Sequence, residues 1–262
     1  MKFLLVGDVV GKPGRRVLRA QLSKVKQMFN VDAIVVNGEN AAGGLGITPE
    51  VCNEILALGV DVVTTGNHVW DKKEILGYIG EQPRLLRPLN YPEGVPGRGS
   101  AIFESKGQKW AVINLSGRVF MSPLDCPFQR ACKEVEHLKQ FTTIILVDFH
   151  AEASSEKVAM GWFLDGKVSC VFGTHTHVVT ADERVLPQGT AYITDIGMTG
   201  AQDSVIGIET GEIIGRFLTQ MPFRYKVAKH NLRLNGVVVD VDDDTGKARD
   251  IFRISIPFED EI

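Results

Sequence analysis

Five short clusters of carboxylate, amide and imidazole side chains are the part of this sequence best suited to chemistry. Each cluster directly follows an apolar, β-branched run that predicts a buried strand. The clusters are Gly7-Asp8, Asn37-Gly38-Glu39-Asn40, Gly66-Asn67-His68, Asp148-Phe149-His150 and Gly173-Thr174-His175-Thr176-His177. Because loops beyond the carboxyl ends of strands line the ligand crevice of open α/β sheets, we expect all of them to meet at one edge of a sheet.

These residue types favour a metal centre with borderline ions such as Mn, Fe or Zn, and no thiolate takes part. His175 and His177 are separated by one residue, so in an extended segment both imidazoles point to the same face. Glu39 can bridge two ions through its two oxygens, with Asp8 at one end and the amide oxygen of Asn67 as a neutral ligand. Two ions about 3.5–4 Å apart activate a bridging hydroxide and hold the attacking and leaving oxygens of an in-line displacement. The pattern therefore predicts phosphoester hydrolysis.

Each cluster taken alone also has an ordinary structural explanation. An aspartate such as Asp8 after a strand is about as often a turn or capping residue. Asn67 and His68 alone are more typical of a turn, and a single histidine such as His150 more often forms a hydrogen bond than binds a metal. The placement of the six histidines favours the metal centre, because four directly follow predicted strands. These four are His68, His150, His175 and His177, whereas His137 and His230 lie in polar stretches.

Alternating strand-like and helix-like runs must position these clusters. Buried strands are predicted over residues 3–6, 33–36, 60–64, 110–114, 143–148 and 168–172. Helix-like stretches cover residues 15–29 and 49–58, the second with Thr48 as N-cap and Pro49 at the first helical position. The alternation predicts a layered α/β fold.

The last part of the chain is richer in strands. They are predicted over residues 190–194, 224–228, 234–242 and 248–255, with a hairpin turn at 243–246. These strands predict a second sheet packed on the first. Residues 87–99 and 123–127 predict long loops. No repeat or linker divides the sequence, so we interpret residues 1–262 as a single domain.

Composition and charge are typical of a globular, enzyme-like protein. The 262 residues are 44% hydrophobic and 23% charged, and the formal net charge of -3 lacks the basic footprint that an extended nucleic-acid duplex requires. The apolar run at the start is broken at Gly7 and Asp8, so neither a signal sequence nor a membrane span is predicted. The four cysteines form no CxxC pair, and we expect free thiols in a reducing cytoplasm.

In order and spacing, the clusters resemble the blocks of the calcineurin-like metallophosphoesterases. Those blocks run GD, GN or GD, GNH, then a later His, then GHxH. This sequence departs from the pattern in its own way. Val10 stands where the first block, GDxH, has a histidine, Glu39 stands where an aspartate bridges, and Thr174 replaces the first histidine of GHxH.

The departures together match a narrower group, the YmdB-like phosphodiesterases of bacteria, which the chain resembles over nearly its whole length. The matching blocks are GDVVG at residues 7–11, NGENAA at 37–42, GNHVWD at 66–71, DFHAEA at 148–153, GTHTH at 173–177 and TDIGMTG at 194–200. This resemblance implies the calcineurin-like sandwich, two packed mixed β-sheets flanked by helices. It also implies hydrolysis of 2′,3′-cyclic nucleotides to 3′-phosphates, two metal ions that are iron and/or manganese, and a homo-oligomer.

Carried over position by position, the resemblance implies two overlapping ligand sets. One set is Asp8, Glu39, Asn40 and His177, and the other is Glu39, Asn67, His150 and His175, with Glu39 as the bridge. Asn40 either fills the place of the missing histidine or orients a phosphate oxygen, since its amide carbonyl suits both roles. His68 is the candidate general acid, because a histidine can be cationic near neutral pH and protonate the departing ribose oxygen. Asp71 either holds the His68 ring or caps the following helix.

Further candidates surround the crevice. Residues 194–200 and 152–155 are expected to line it, and Arg118 or Arg87 could reach a phosphate or a base. The aromatic candidates for stacking on a base are Phe120, Trp70 and Tyr91, although core packing is the more expected role for each. Because fold and metals do not decide the substrate, two alternatives stay open: a phosphomonoesterase or ribonuclease, and a regulatory nucleotide-binding protein with little turnover.

Overall fold

Two mixed β-sheets lie at the centre of the computed structural model, which describes residues 1–258. The strands are β1 (Lys2–Val6), β2 (Asp8–Val9), β3 (Ala33–Asn37), β4 (Val62–Thr64), β5 (Leu85–Leu86), β6 (Ser100–Ser105), β7 (Gln108–Ser116), β8 (Ile145–His150), β9 (Cys170–Thr174), β10 (Arg184–Val185), β11 (Ala191–Ile193), β12 (Met198–Ala201), β13 (Leu232–Val241) and β14 (Ala248–Phe258). The α-helices are α1 (Gly11–Phe29), α2 (Pro49–Ala57), α3 (Pro127–Leu138), α4 (Ser154–Leu164) and α5 (Thr210–Thr219), and a short 3-10 helix covers Lys73–Gly77.

The first sheet has the strand order β2-β12-β13-β1-β3-β4-β5, and β14 also pairs with β13. The second sheet has the order β10-β11-β9-β8-β7-β6. Strands β1, β3, β4 and β5 run parallel in the first sheet, and β7, β8, β9 and β11 run parallel in the second. The polar clusters follow β1, β3 and β4 in one sheet and end β8 and β9 in the other.

Alternate residues of β1 face two different cores, as the pleat of a strand requires. Leu4 and Val6 pack on the side of α1 and α2, whereas Phe3 and Leu5 pack against the second sheet. The rings of Phe3 and Trp110 meet edge to face across the two sheets, with centroids 5.3 Å apart. A third core lies between the second sheet and helices α3 and α4. The layers are therefore helix, sheet, sheet, helix, which confirms the predicted two-sheet α/β sandwich.

Local signals decided where α2 begins, as the sequence predicts. The backbone N–H of Val51 donates to Thr48 Oγ1 at 3.3 Å, and Pro49 occupies the first turn, where no intrahelical acceptor is needed. Helix α1 starts at Gly11, earlier than predicted. Gly11 has a φ of +56°, a left-handed conformation that lets the chain turn into the helix immediately after the first cluster.

The prediction of which strands form the second sheet is wrong in part. Strands β13 and β14, predicted for that sheet, pair with each other, and β13 also pairs with β1 in the first sheet. Only β11, of the late strands, lies in the second sheet. Residues 224–228 form an isolated bridge from Val227 to Ile208 instead of a strand. Long-range pairing of this kind depends on contacts that local periodicity does not encode.

Cys52, Cys126, Cys132 and Cys170 are all free thiols, as predicted. Within residues 1–258, none of the helices combines the length and the apolar character that crossing a bilayer demands.

Candidate metal centre

The carboxyl ends of strands from both sheets meet at the candidate centre. The expectation that one edge of one sheet carries all the clusters is therefore wrong, because two stacked sheets share the task. Asp148, two residues before the end of β8, joins the two sheets: its Oδ2 accepts hydrogen bonds from Asn37 Nδ2 at 3.1 Å and from Thr64 Oγ1 at 2.5 Å, both on the first sheet. This buried carboxylate fixes the two strand ends relative to each other.

Four donor atoms converge in the group formed by Glu39, Asn67, His150 and His175, which we name the His150 group. His150 Nε2 lies 3.0 Å from Glu39 Oε1, 3.0 Å from Asn67 Oδ1 and 2.9 Å from His175 Nδ1. Glu39 and His150 are fully buried, and Glu39, His150 and His175 satisfy the spacing of a metal-binding cluster. The arrangement has the nitrogen and oxygen donors that borderline divalent ions prefer.

A second group lies beside the first and shares Glu39 with it. It consists of Asp8, Glu39, Asn40 and His177, and we name it the Asp8 group. His177 Nε2 lies 3.8 Å from Asp8 Oδ1 and 3.1 Å from Asn40 Nδ2. Asn40 presents its amide nitrogen, which also lies 3.2 Å from Glu39 Oε1, so the amide must turn over before its oxygen can serve as a ligand.

Asp8 supplies the clearest sign that the centre fits a cation. Its Oδ1 is buried and has no hydrogen-bond partner in residues 1–258, while its Oδ2 accepts from the backbone N–H of His175 at 3.3 Å. An unpartnered buried carboxylate oxygen is costly, and a bound cation is the partner that removes the cost. The donor set and this oxygen therefore fit a metal ion.

Hydrogen bonds behind the histidines select the nitrogen that faces the centre. Thr174 Oγ1 donates to Asp148 Oδ1 at 2.7 Å, so it accepts from His150 Nδ1 at 2.9 Å and leaves Nε2 free to bind a metal. His177 Nδ1 donates to the carbonyl oxygen of Ile206 at 2.8 Å, which leaves its Nε2 toward the Asp8 group. His175 is reversed: its Nε2 pairs with Glu152 Oε2 at 3.0 Å, and Nδ1 faces His150.

The segment that carries His175 and His177 is a turn and not the extended segment that the sequence predicts. His175 has a φ of +100° and His177 a φ of +65°, which non-glycine residues adopt only at a cost. Asp195 stabilises the turn: its Oδ2 accepts hydrogen bonds from the backbone N–H of Thr176 at 3.1 Å and from Thr176 Oγ1 at 2.7 Å. Lys157 Nζ, fully buried, pairs with the same oxygen at 2.6 Å. A buried ion pair thus supports the strained backbone between the two imidazoles.

Gly66 allows the clusters to come this close. A Cβ at this position would lie 2.2 Å from His150 Cδ2 and 2.3 Å from Glu39 Oε2. No side chain, not even that of alanine, fits there without moving both residues. The glycine of the third cluster is therefore required by packing against the other two strand ends.

Burial and charge act in opposite directions on the pKa values of the centre. Burial lowers the pKa of His150, but the neighbouring carboxylates, Glu39 above all, raise it to about 9. Burial would raise the pKa of Glu39, yet the charge and hydrogen bond of His150 lower it to about 2. Burial and the charge of His150 lower the pKa of His175 to about 3, and burial raises that of Asp8. Without a metal ion, the protonated His150 ring therefore supplies positive charge among these carboxylates. A bound metal ion would take over that role.

His68 lies at the rim of the centre, in a cavity of about 490 Å³ that is also lined by Glu39, Glu152 and His177. Its Nδ1 pairs with Asp71 Oδ2 at 2.9 Å. Of the two roles considered for Asp71, the structure shows the ring contact, and the following 3-10 helix has Lys72 at its N-cap position. The backbone N–H of His68 also donates to Glu39 Oε2 at 3.2 Å, which links the rim to the shared carboxylate.

Within residues 1–258, the lining of the cavity beside His68 includes none of the arginine and aromatic candidates. The guanidinium of Arg87 donates to the carbonyl oxygens of Pro88, Val95 and Pro96 and so holds its own loop together. Trp70 and Tyr91 pack on each other and against the core beside the first sheet. Phe120 is 90% exposed. Arg118 is exposed, and its backbone N–H donates to the buried Glu156. Residues 194–200 do not line this cavity in the part of the chain that the structure describes. Asp195, one of them, instead supports the turn between His175 and His177.

Other residues matter more than the sequence suggests. Thr174 and Asp195 lie in the matching blocks at residues 173–177 and 194–200, but their supporting roles are visible only in the structure, and Lys157 is marked only as a charged residue in an apolar run. Ile206 and Tyr225 border the cavity from a segment that is distant in sequence. An isoleucine with a φ of +48° is an outlier that only the backbone reveals.

Known proteins match this sequence over nearly the whole chain. The model of the YmdB-like protein family matches residues 4–254. The chain belongs to the YmdB-like family. Among relatives of this YmdB-like protein, a 2′,3′-cyclic-nucleotide 2′-phosphodiesterase of Bacillus subtilis (strain 168) is 49% identical over 256 residues, which cover 98% of this chain and 97% of the relative.

Solved structures agree with the YmdB-like fold. A hypothetical protein from Thermus thermophilus superimposes with a TM-score of 0.92 at 38% identity, over 98% of this chain and 99% of that one. A protein described as a novel phosphatase from Mycoplasma pneumoniae gives a TM-score of 0.93 at 36% identity, over 100% of this chain and 95% of that one. The two-sheet sandwich is therefore shared with a phosphatase.

Proposed function

We propose that this protein is a dinuclear metal phosphodiesterase that opens 2′,3′-cyclic nucleotides to 3′-phosphates. The observation that carries the proposal is the convergence of the two donor groups on Glu39, whose Oε1 lies 3.0 Å from His150 Nε2 and 3.2 Å from Asn40 Nδ2. A carboxylate shared by two sets of donors is suited to bridge two ions. The His150 group would hold one ion and the Asp8 group the other. Iron and manganese both suit these nitrogen and oxygen donors.

The chain's own residues divide the reaction between them. When bound, two such ions supply an activated water molecule and positive charge at the phosphoryl oxygens. His68 donates a proton to the departing 2′ oxygen, while Asp71 holds its ring at Nδ1 and leaves Nε2 for that transfer. Cleavage of the bond between phosphorus and O2′ with addition of water yields a 3′-phosphate and a free 2′-hydroxyl.

The substrate class is supported by the relative and by the size of the cavity. The Bacillus subtilis relative at 49% identity carries the name of a 2′,3′-cyclic-nucleotide 2′-phosphodiesterase. The cavity of about 490 Å³ beside His68 is within the size range of small-molecule sites. A mononucleotide is thus a better match than a long nucleic acid, for which the net charge of -3 offers no basic surface.

Side-by-side turnover of 2′,3′-cyclic AMP, adenosine 3′-monophosphate and a short RNA tests the proposal, with elemental analysis of the same preparation. We expect about two metal equivalents per chain. We also expect the highest kcat/KM for the cyclic nucleotide, with adenosine 3′-monophosphate as the product. Faster release of phosphate from the monoester would indicate a phosphatase, and faster cleavage of RNA a ribonuclease. Bound metal and nucleotide without turnover would indicate a regulatory binding protein.

A further inference from the structure

The cavity beside the candidate centre has two chemically different walls. Residues of the centre form the polar wall. The other wall is apolar and aromatic, and its side chains are Leu45, Ile206, Ile208 and Tyr225. A second cavity of about 480 Å³, rich in apolar residues, borders the last three of these side chains as well. Hydrolysis of a phosphodiester does not by itself require such an apolar wall.

Ile206 connects the apolar wall to the centre, and its own backbone conformation is strained. Its carbonyl oxygen accepts from His177 Nδ1 at 2.8 Å, so its position is coupled to a candidate ligand. Its φ is +48°, a conformation that suits glycine or asparagine and is rare for a β-branched residue. The residue is nevertheless 47% exposed, so packing in the core does not account for the choice of isoleucine. Unfavourable backbone and exposed apolar surface together indicate a side chain that contacts a ligand.

Tyr225 presents a fixed aromatic ring on the same wall. Its hydroxyl donates to the carbonyl oxygen of Gly44 at 3.2 Å, which anchors the far end of the side chain. The ring also packs on the backbone of this loop, because a Cβ at Gly44 would lie 2.6 Å from Tyr225 Cε1. Burial and the charge of Glu39 raise the pKa of Tyr225, so the phenol stays neutral. A half-buried, immobilised ring beside a polar centre is well prepared for stacking.

We infer that Tyr225, with Leu45, Ile206 and Ile208, forms the binding site for the nucleobase of the substrate. The inference rests on the proposed function, since it assigns the second wall of the same cavity. A nucleotide has a charged phosphate and a flat, apolar-faced base, which correspond to the two walls. Stacking on an aromatic ring accepts every base, so this site favours nucleotides over base-free phosphodiesters without selecting one base strongly.

The test compares two substrates that differ only in the base. These are 2′,3′-cyclic AMP and the 2′,3′-cyclic phosphate of methyl riboside. Base stacking corresponds to a factor of about 5 to 150, so we expect the wild-type protein to prefer the base-bearing substrate by about tenfold or more in kcat/KM. In Tyr225→Leu we expect this preference to fall by about fivefold or more, through a higher KM for 2′,3′-cyclic AMP. Tyr225→Phe keeps the ring and should keep most of the preference.

Phe217 provides the matched control. It is an exposed aromatic residue of α5 that borders the second cavity but not the one beside the centre. Phe217→Leu should therefore retain the wild-type preference. If Tyr225→Leu does not fold, Ile206→Asn carries the test, because asparagine tolerates the left-handed backbone while removing the apolar side chain. It should lower the preference without lowering the Tm.

Two results would overturn the inference. One is a wild-type protein that hydrolyses both substrates with equal kcat/KM. The other is a preference that stays the same in Tyr225→Leu, including the case in which both substrates slow equally. If the wild-type protein hydrolyses neither substrate, the proposed function fails but the base site is still tested by calorimetry. The affinity for adenosine 3′-monophosphate should then exceed that for ribose 3-phosphate in the wild type only, and equal affinities would refute the site.

Discussion

The two halves of the candidate centre differ in how far the protein alone assembles them. In the His150 group, three donors lie within 2.9–3.0 Å of His150 Nε2. In the Asp8 group, His177 Nε2 is 3.8 Å from an Asp8 oxygen that has no hydrogen-bond partner among the described residues. Asn40 presents its nitrogen there and not its oxygen. One half is preorganised, and the other must adjust before it can hold an ion.

The difference has a structural origin in what lies behind each histidine. Behind His150, Thr174 and Asp148 form a buried chain of hydrogen bonds that reaches both sheets. Behind His177, the partner within residues 1–258 is the carbonyl oxygen of Ile206, in a strained loop. Preorganised donors lose less freedom on binding. We therefore expect the His150 group to bind its metal more tightly than the Asp8 group.

Glu39→Ala should have the largest effect, because Glu39 belongs to both groups. We expect bound metal to fall well below two equivalents per chain, and phosphodiesterase activity to fall by at least about 10³-fold because both ions support the reaction. Elemental analysis and turnover of 2′,3′-cyclic AMP measure the two effects. A variant that keeps two full equivalents would show that Glu39 is not the bridge.

His68→Ala separates turnover from metal binding, because His68 belongs to neither group. We expect full metal content with kcat lower by about 10²–10⁴-fold, the usual range for losing a general acid. Asp71→Asn should show a smaller loss, since it removes only the charge that holds the ring. Normal turnover by His68→Ala would rule out its role as the acid, and loss of metal would place it among the ligands instead.

Thr174→Val should weaken one half of the centre selectively. It removes the acceptor of His150 Nδ1–H while keeping the shape of the side chain, and such changes typically reduce metal affinity by about 10–100-fold. Stepwise metal titration should show the tighter step weakened more than the other. Thr142→Val is the control. Thr142 precedes the amino end of β8, away from the centre, and its buried hydroxyl donates to the carbonyl oxygen of Lys109. Equal weakening of both steps would contradict the division into two groups.

Metal binding should strengthen with pH through the His150 group. The pKa of His150 is about 9 in the metal-free protein, above the ordinary histidine value of about 6.5. A metal must displace that proton, so the affinity of the tighter step should rise by up to about tenfold per pH unit below pH 9. Calorimetry in buffers of different ionisation enthalpy should detect close to one proton released. An affinity that is flat from pH 6.5 to 8.5 would contradict this.

The stability of the metal-free protein should change with pH in the opposite direction to the metal affinity. Because the folded-state pKa of His150 is raised above its unfolded value, its protonation stabilises the fold fully below about pH 6.5. This contribution is lost as the pH rises toward about 9. The Tm of the metal-free protein should therefore fall over that range, and saturating metal should reverse the trend.

The sequence was sufficient to predict which residues approach each other in the centre. Asp8, Asn67 and His150 each lie at or just beyond the end of a strand that β-branched runs predict. Strand ends are readable because apolar periodicity stops there. The sheet to which each strand belongs was less predictable: β13 resembles the late strands of a second sheet in its local pattern, yet it pairs with β1 at the other end of the chain.

Local sequence determined the donor types and their approximate positions, because both depend on residue identity and on where a strand ends. Only the tertiary structure decided which ring nitrogen of each histidine faces the centre. His150 depends on Thr174, His177 on Ile206 and His175 on Glu152, and none of these partners is a neighbour in sequence. A ring tautomer is set by the hydrogen bond on its far side, so it exists as a defined property only after those distant segments have packed together.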